Sequence, residues 1–170
     1  MKQFKTILVA VALIFGITTT AQAQETKIAH INVQQLVTNL PAFKAAQKEI
    51  QQLGQTYEAT YTEMQTELNS TMKRYDAEAG AQTDEENARR VKEVQDQGAA
   101  IQQYIGQAQQ DLQKKEVDLL KPITEKASET IKKVGRAKGY TFVLDSSLGA
   151  GVLLADGYDL MADVKAALGI

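Results

Sequence analysis

The chain has 170 residues, with 19 Lys and Arg, 21 Asp and Glu, one His and no Cys, for a net charge of −2. That length fits one domain, and the near balance of charge excludes a basic footprint for nucleic acid. The absence of cysteine excludes disulfides, thiolate metal sites and a lipid-modified N-terminal cysteine.

The chain opens on Met1-Lys2-Gln3-Phe4-Lys5, followed by the apolar run Ile7 to Ile17 and then Ala21-Gln22-Ala23. A basic leader, a short hydrophobic stretch and a small-x-small site predict a secretory signal peptide over 1–23, cut after Ala23. The run of 11 residues falls short of the about 20 needed for a membrane-spanning helix, so stable membrane insertion is not expected. Removal of the leader takes away Lys2 and Lys5 and leaves 17 basic against 21 acidic residues, a net charge of −4. Residues 24–170 are then read as a single domain.

The first segment after the leader, Lys27–Val33 (KIAHINV), predicts a strand. From Phe43 to Tyr75 an apolar or small residue recurs every three or four positions. The series is Phe43, Ala46, Ile50, Leu53, Tyr57, Tyr61, Met64, Leu68, Met72 and Tyr75, or 32 residues over nine gaps, a period of 3.56. That spacing keeps one stripe on one side of a long helix, which begins near Pro41, where a missing N–H has no partner to lose.

The stripe breaks near 77–83. Gly80 favours a stop, and Thr83 followed by Asp84-Glu85-Glu86 provides a hydroxyl cap and acids for the positive end of a new helix. A second stripe runs Val91, Val94, Gly98, Ile101, Ile105, Ala108, Leu112, Leu119, Ile123, Ala127, Ile131 and Val134. Two long striped helices around a short turn predict an antiparallel hairpin arm over about 41–135. Pro122 falls inside the second helix and removes the bond to the Asp118 carbonyl, so it is read as a kink and hinge where the arm enters the body; the competing reading ends the helix at Lys121.

Two further strands are expected at Tyr140–Asp145 and Gly151–Ala155, followed by a short helix over about 160–168. Phe142 and Leu144 face opposite to Val143, and Val152 and Leu154 opposite to Leu153. Strands that are apolar on both sides need cover on both sides, so the sheet is expected to be completed by other copies of the chain. Ile28, Ile31, Val33, Phe142, Leu144, Val152 and Leu154 are the residues expected in that shared core. The fold class is α+β: a small, oligomer-completed sheet body carrying a long helical coiled-coil hairpin.

No catalytic or cofactor motif emerges. His30 has no HExxH, Cys or GxSxG context around it and reads as a structural or interface residue. Gly149-Ala150-Gly151 lacks a third glycine in register, and no GxxxxGK[ST] occurs in the chain. Asp145, Asp156 and Asp159 lack calcium-loop spacing and read as strand-end, turn and helix-cap residues. Neither enzyme activity nor a cofactor is expected.

Two stretches resemble the Skp/OmpH family of periplasmic chaperones. The first is Lys27 to Gln34 with Leu40-Pro41-Ala42-Phe43 and the residues to Ile50. The second is Ile131 to Asp145 with Gly151-Val152-Leu153-Leu154 and Asp159-Leu160. The resemblance implies a homotrimer whose helical arms enclose a cavity, holding unfolded outer-membrane β-barrel proteins without ATP. The chain departs from that family at Phe43, and at Met161, which leaves Asp159 to cap the last helix. It departs also in charge, with 13 Lys/Arg against 16 Asp/Glu over 42–134. Adaptable and amphipathic side chains suit many weak contacts, which makes Tyr61, Met64, Met72, Tyr75 and Tyr104 the client-contact candidates. The first four share the stripe, where packing of the hairpin is the preferred reading, while Tyr104 lies beside it and is the better client candidate. The alternative function is a structural coiled-coil spacer or adaptor of the cell envelope, against which the small sheet argues, since a rod needs no body. Membrane-surface binding by an arm is disfavoured by the mixed charge of the polar faces.

Overall fold

The computed structural model describes residues 26–170, so the expected signal peptide lies outside the described residues. Strand β1 (Ile28–Ile31) leads through Asn32 into helix α1 (Val33–Asn39), and after Leu40 the chain enters α2 (Pro41–Glu78). A 3-10 turn (Ala79–Ala81) reverses it into α3 (Asp84–Ala137), followed by β2 (Phe142–Asp145), β3 (Tyr158–Asp159) and α4 (Met161–Leu168). The expected arm and terminal helix are both present, and α3 alone has 54 residues, a length of about 80 Å.

The arm reverses where its residues direct. Thr83 Oγ1 accepts the Glu86 N–H at 3.2 Å and caps α3. The reciprocal half of a capping box does not form, because the Glu86 carboxylate turns to Arg89 and Arg90 instead. The helix passes through Pro122 without ending, which settles the competing reading of a stop at Lys121. Beyond Pro122 the stripe residues Ala127 and Ile131 enter the body core.

The sheet has the order β2-β1-β3 with both pairs parallel. Parallel neighbours need long crossover connections, and between β1 and β2 the arm itself supplies one. The Lys27–Val33 segment divides: four residues form the strand, and Val33 opens α1. Asn32 causes the break by accepting the Gln35 N–H on its side chain at 2.8 Å, the geometry of a helix N-cap. The strand expected at Gly151–Ala155 is absent, and β3 forms at Tyr158–Asp159 instead. Gly151 has φ +85°, outside the extended region, and β1 is already paired on both sides, so 151–155 has no central edge to join.

One face of the sheet is covered by the chain's own helices. Ala29 and Ile31 pack with Leu36, Val37, Leu40, Ala127, Ile131, Leu160 and Val164 in one core. Helix α3 approaches β2 so closely that a Cβ on Gly135 would lie 2.7 Å from the Val143 side chain. The expectation that both faces await partner copies is therefore corrected: Ile31 is fully buried within its own chain, and Val33 packs against the same core.

Candidate interaction surfaces

The N-terminus of α1 is built by residues far away in sequence. The Val33 N–H donates to Asp145 Oδ1 at 3.2 Å, Gln34 N–H to Ser147 Oγ at 3.0 Å, and the Ser147 hydroxyl to Asp145 Oδ1 at 2.6 Å. With Asn32 they satisfy the donors that a helix start leaves free. Burial works against the Asp145 charge, but the Ser147 and Val33 bonds outweigh it and hold its carboxyl below the usual value. Asp145 is thus a hub between β2 and α1, which its reading as a strand-end residue did not anticipate. Asn32 three residues ahead of Gln35, with Leu36 and Val37 behind it, was the sequence signal for the helix.

The other face of the sheet is open. Ile28, Phe142 and Leu144 lie side by side in register with His30, at 49%, 55% and 41% exposure. The connection from β2 to β3 must recross the sheet, and His30 meets both its ends: Nδ1 lies 3.3 Å from Ser146 Oγ and Nε2 lies 3.1 Å from the Gly157 carbonyl oxygen. Within that connection Leu148 and Leu153 are fully exposed, Leu154 is exposed and Val152 half-buried. Four residues fix the far side of the body. Lys138 Nζ stands 2.7 Å from Asp163 Oδ1, the Tyr158 hydroxyl donates to Asp163 Oδ2 at 2.9 Å, and Tyr158 stacks on Tyr140. The Lys138 bond holds the Asp163 carboxyl below its ordinary value, and Asp163 in turn raises the Lys138 ammonium. The Met161 N–H donates to Asp159 Oδ1 at 2.8 Å, but the N-cap position itself falls on Leu160, which has no side-chain cap bond, so Asp159 acts from one residue ahead of the expected cap.

Along the arm the two stripes meet, but the candidate residues part company. Tyr61, Met64 and Tyr75 are half-buried on the seam. Met72 is 47% exposed, and Thr71 takes the buried place beside it at 8%. Opposite, Val91 is 57% exposed while Arg90 turns inward over the Tyr75 ring, 4.6 Å from its centroid and 2.9 Å from Glu78. The Tyr75 hydroxyl donates across the seam to Glu93 at 2.9 Å. Near the tip the packing line has slipped by one residue on each helix, which a repeat between 3.5 and 3.6 permits. The slip leaves Met72 and Val91 outside.

Midway along the arm, Tyr57 and Tyr104 meet edge to face with centroids 5.9 Å apart, and the Tyr57 hydroxyl donates to Asp111 at 3.1 Å. Desolvation first, then the Asp111 bond, raises the Tyr57 hydroxyl above its usual value. Tyr57, Tyr61, Tyr104, Ile105, Ala108 and Leu112 line one apolar notch. The structure thus brings Tyr61 and Tyr104 together and leaves Met72 and Tyr75 at the tip. Tyr57, assigned to packing by its place on the stripe, also faces the notch. Among the described residues no group of His, Asp and Glu is arranged to hold a metal ion, and no helix is long and apolar enough to cross a membrane.

These features define a class: a small parallel sheet, covered on one face by its own helices, from which a single long helical hairpin projects. The chain belongs to the OmpH-like outer membrane protein family, whose model matches residues 27–168. It is similar to a crystal structure of an OmpH-like protein from Caulobacter crescentus, described as a candidate outer membrane chaperone. The two are 20% identical with a TM-score of 0.74, over 84% of this chain and 83% of that one. No curated protein matches the sequence significantly. Family membership supports a chaperone role in general terms.

Proposed function

We propose that the chain is an ATP-independent holdase of the periplasm that binds unfolded outer-membrane β-barrel proteins between the helical arms of a homotrimer. The observation that carries this reading is the arm: a long hairpin whose seam opens into apolar notches, set on a body with an unused apolar face. Many shallow contacts on adaptable side chains suit chains without fixed shape better than one deep pocket does. Tyr61, Met64, Met72, Tyr75 and Tyr104 are the contact residues in this proposal. Client release follows when the client folds into the membrane and buries what the arms held.

Self-association is the second part of the proposal. Ile28, Phe142 and Leu144 on the open sheet face, with Val152 and Leu154 from the connection that recrosses the sheet, form the shared core in this proposal, since exposed apolar residues gathered together mark an interface. Light scattering on the eluting mature protein is expected to give three times the monomer mass, and a folded monomer at micromolar concentration overturns it. Pro122 is proposed as the hinge between arm and body. Spin labels on two arms of Pro122→Ala are expected to report a narrower spread of separations.

The deciding experiment dilutes a urea-unfolded barrel protein, and separately an unfolded soluble protein, into the purified mature chain. Suppressed aggregation of the barrel protein, with a complex of defined mass, is expected. Equal aggregation with and without the chain, together with binding to one folded partner, would favour the spacer reading instead.

A further inference from the structure

The nearly even charge of the arms conceals a segregation. From Ile50 to Met72 on α2 and from Val94 to Gln113 on α3 there is no lysine or arginine, yet these stretches hold Glu58, Glu63, Glu67, Asp96 and Asp111. The cations are gathered toward the tip (Lys73, Arg74, Arg89, Arg90, Lys92) and toward the body, at Lys44 and Lys48 on α2 and from Lys114 onward on α3. The two stretches face each other across the seam, as the Tyr57–Asp111 bond shows. Asp96 is paired with Lys92, whereas Glu58, Glu63, Glu67 and Asp111 have no ion-pair partner among the described residues. Twenty-three helical residues span about 35 Å, several screening lengths at physiological salt. A bound segment in this zone therefore meets local negative charge, whatever the balance of the whole arm.

The apolar notch lies inside this zone, and Glu58 lines it beside Tyr57, Tyr61 and Tyr104. Glu58 also lines the neighbouring trough along α2, which continues past Glu63 and Glu67 toward Arg74. Tyrosine ring faces attract cations, and lysine and arginine carry apolar stems that can lie in such a notch while the charged head reaches a carboxylate. Ring faces and charge thus favour the same occupant.

We infer that the middle of the arm is a docking surface for unfolded segments in which lysine or arginine alternates with apolar residues, and that it discriminates against acidic segments. The inference rests on the client-holding reading and names the class of segment held at the notch. The tyrosines supply the apolar contact, and Glu58, Glu63 and Glu67 select the sign of charge.

The test uses two fluorescent peptides of equal length and equal apolar content, one with lysines and one with glutamates at the alternate positions, titrated into the mature full-length chain. At low salt the basic peptide is expected to bind about ten-fold more tightly than the acidic one, the sum of several exposed charge pairs. The gap should narrow as salt is raised. The combined variant Glu58→Gln, Glu63→Gln, Glu67→Gln should erase the gap while leaving circular dichroism unchanged, and Tyr104→Ser should weaken the basic peptide. Equal binding of the two peptides, or a gap that survives the triple variant, overturns the inference. So does binding of neither peptide by a protein that still holds an unfolded barrel protein. Failure to hold any unfolded chain overturns the chaperone reading itself.

Discussion

Body and arm are stabilised in different ways. In the body nine buried residues from four stretches of the chain close on one another, and the polar groups around them are bonded across more than a hundred residues of sequence, as between Asp145 and Val33. In the arm the seam is mostly half-buried, and only Ala46, Thr71, Ile101 and Ala108 are buried between the helices. A two-helix seam cannot exclude water from all sides, so its side chains keep part of their surface wet and part free to meet something else. The body's order resides in contacts that no local segment can form alone, while the arm's resides in helices that each segment specifies for itself.

The largest expected effect comes from breaking the body side of this comparison. Leu160 is fully buried between the sheet and α3, and Leu160→Ala should cost about 2–5 kcal/mol by lost transfer energy and an unfilled cavity. The matching truncation in the arm, Leu68→Ala, removes a half-buried side chain from a solvent-lined seam and should cost about 1–2 kcal/mol. Urea unfolding of the two variants side by side measures the difference. Equal losses would show that the arm is packed as tightly as the body.

A smaller effect sharpens the same contrast at the α1 cap. Asp145→Ala leaves the Val33 and Ser147 N–H groups without their acceptor, and an unmade cap costs about 1–2 kcal/mol. Because its bonds hold the Asp145 carboxyl below the usual value, this contribution is present above the unfolded-state pKa and fades as pH falls through the folded-state value. The variant should therefore approach the parent in stability at acid pH. A stability gap that stays constant down to low pH would assign Asp145 a purely steric role.

The same contrast explains what could be read in the sequence. The arm was legible almost to the residue, from Pro41 through the turn at Ala79–Ala81 to Ala137, because a helix writes its period into neighbouring positions. What escaped was the slip at the tip. Thr71 and Arg90 replace Met72 and Val91 in the seam, and one residue of drift is invisible when both positions are plausible. In the body the misses share one cause. Helix α1 depends on Asp145 and Ser147, and the strand expected at Gly151–Ala155 fails because β1 is paired on both sides; neither fact is local. Of the site, the tyrosines were legible as amphipathic residues, but their gathering into one notch needed the register of α2 against α3.

The smallest expected effect lies at the tip. Hydrogen bonds from Arg89, then from Arg90, lower the Glu86 carboxyl from 4.5 to about 2, and the same residue donates its backbone N–H to the Thr83 cap. A depressed carboxyl contributes stability that is whole above its unfolded value and is lost as pH falls through the folded one. The tip should therefore hold until about pH 4.5 and loosen progressively toward pH 2, while Glu86→Gln should be loosened already at neutral pH and change little on acidification. The site is exposed, so the effect should stay local: carbon-13 shifts of residues 84–93 should move toward coil values, with the Leu160 environment unchanged over the same range. Direct observation of the Glu86 carboxyl carbon decides the matter. A midpoint near 4.5 would mean that Glu86 is seldom paired with Arg89 and Arg90, and that the tip is held by the Thr83 cap and by the contacts of Arg90 with Tyr75 and Glu78.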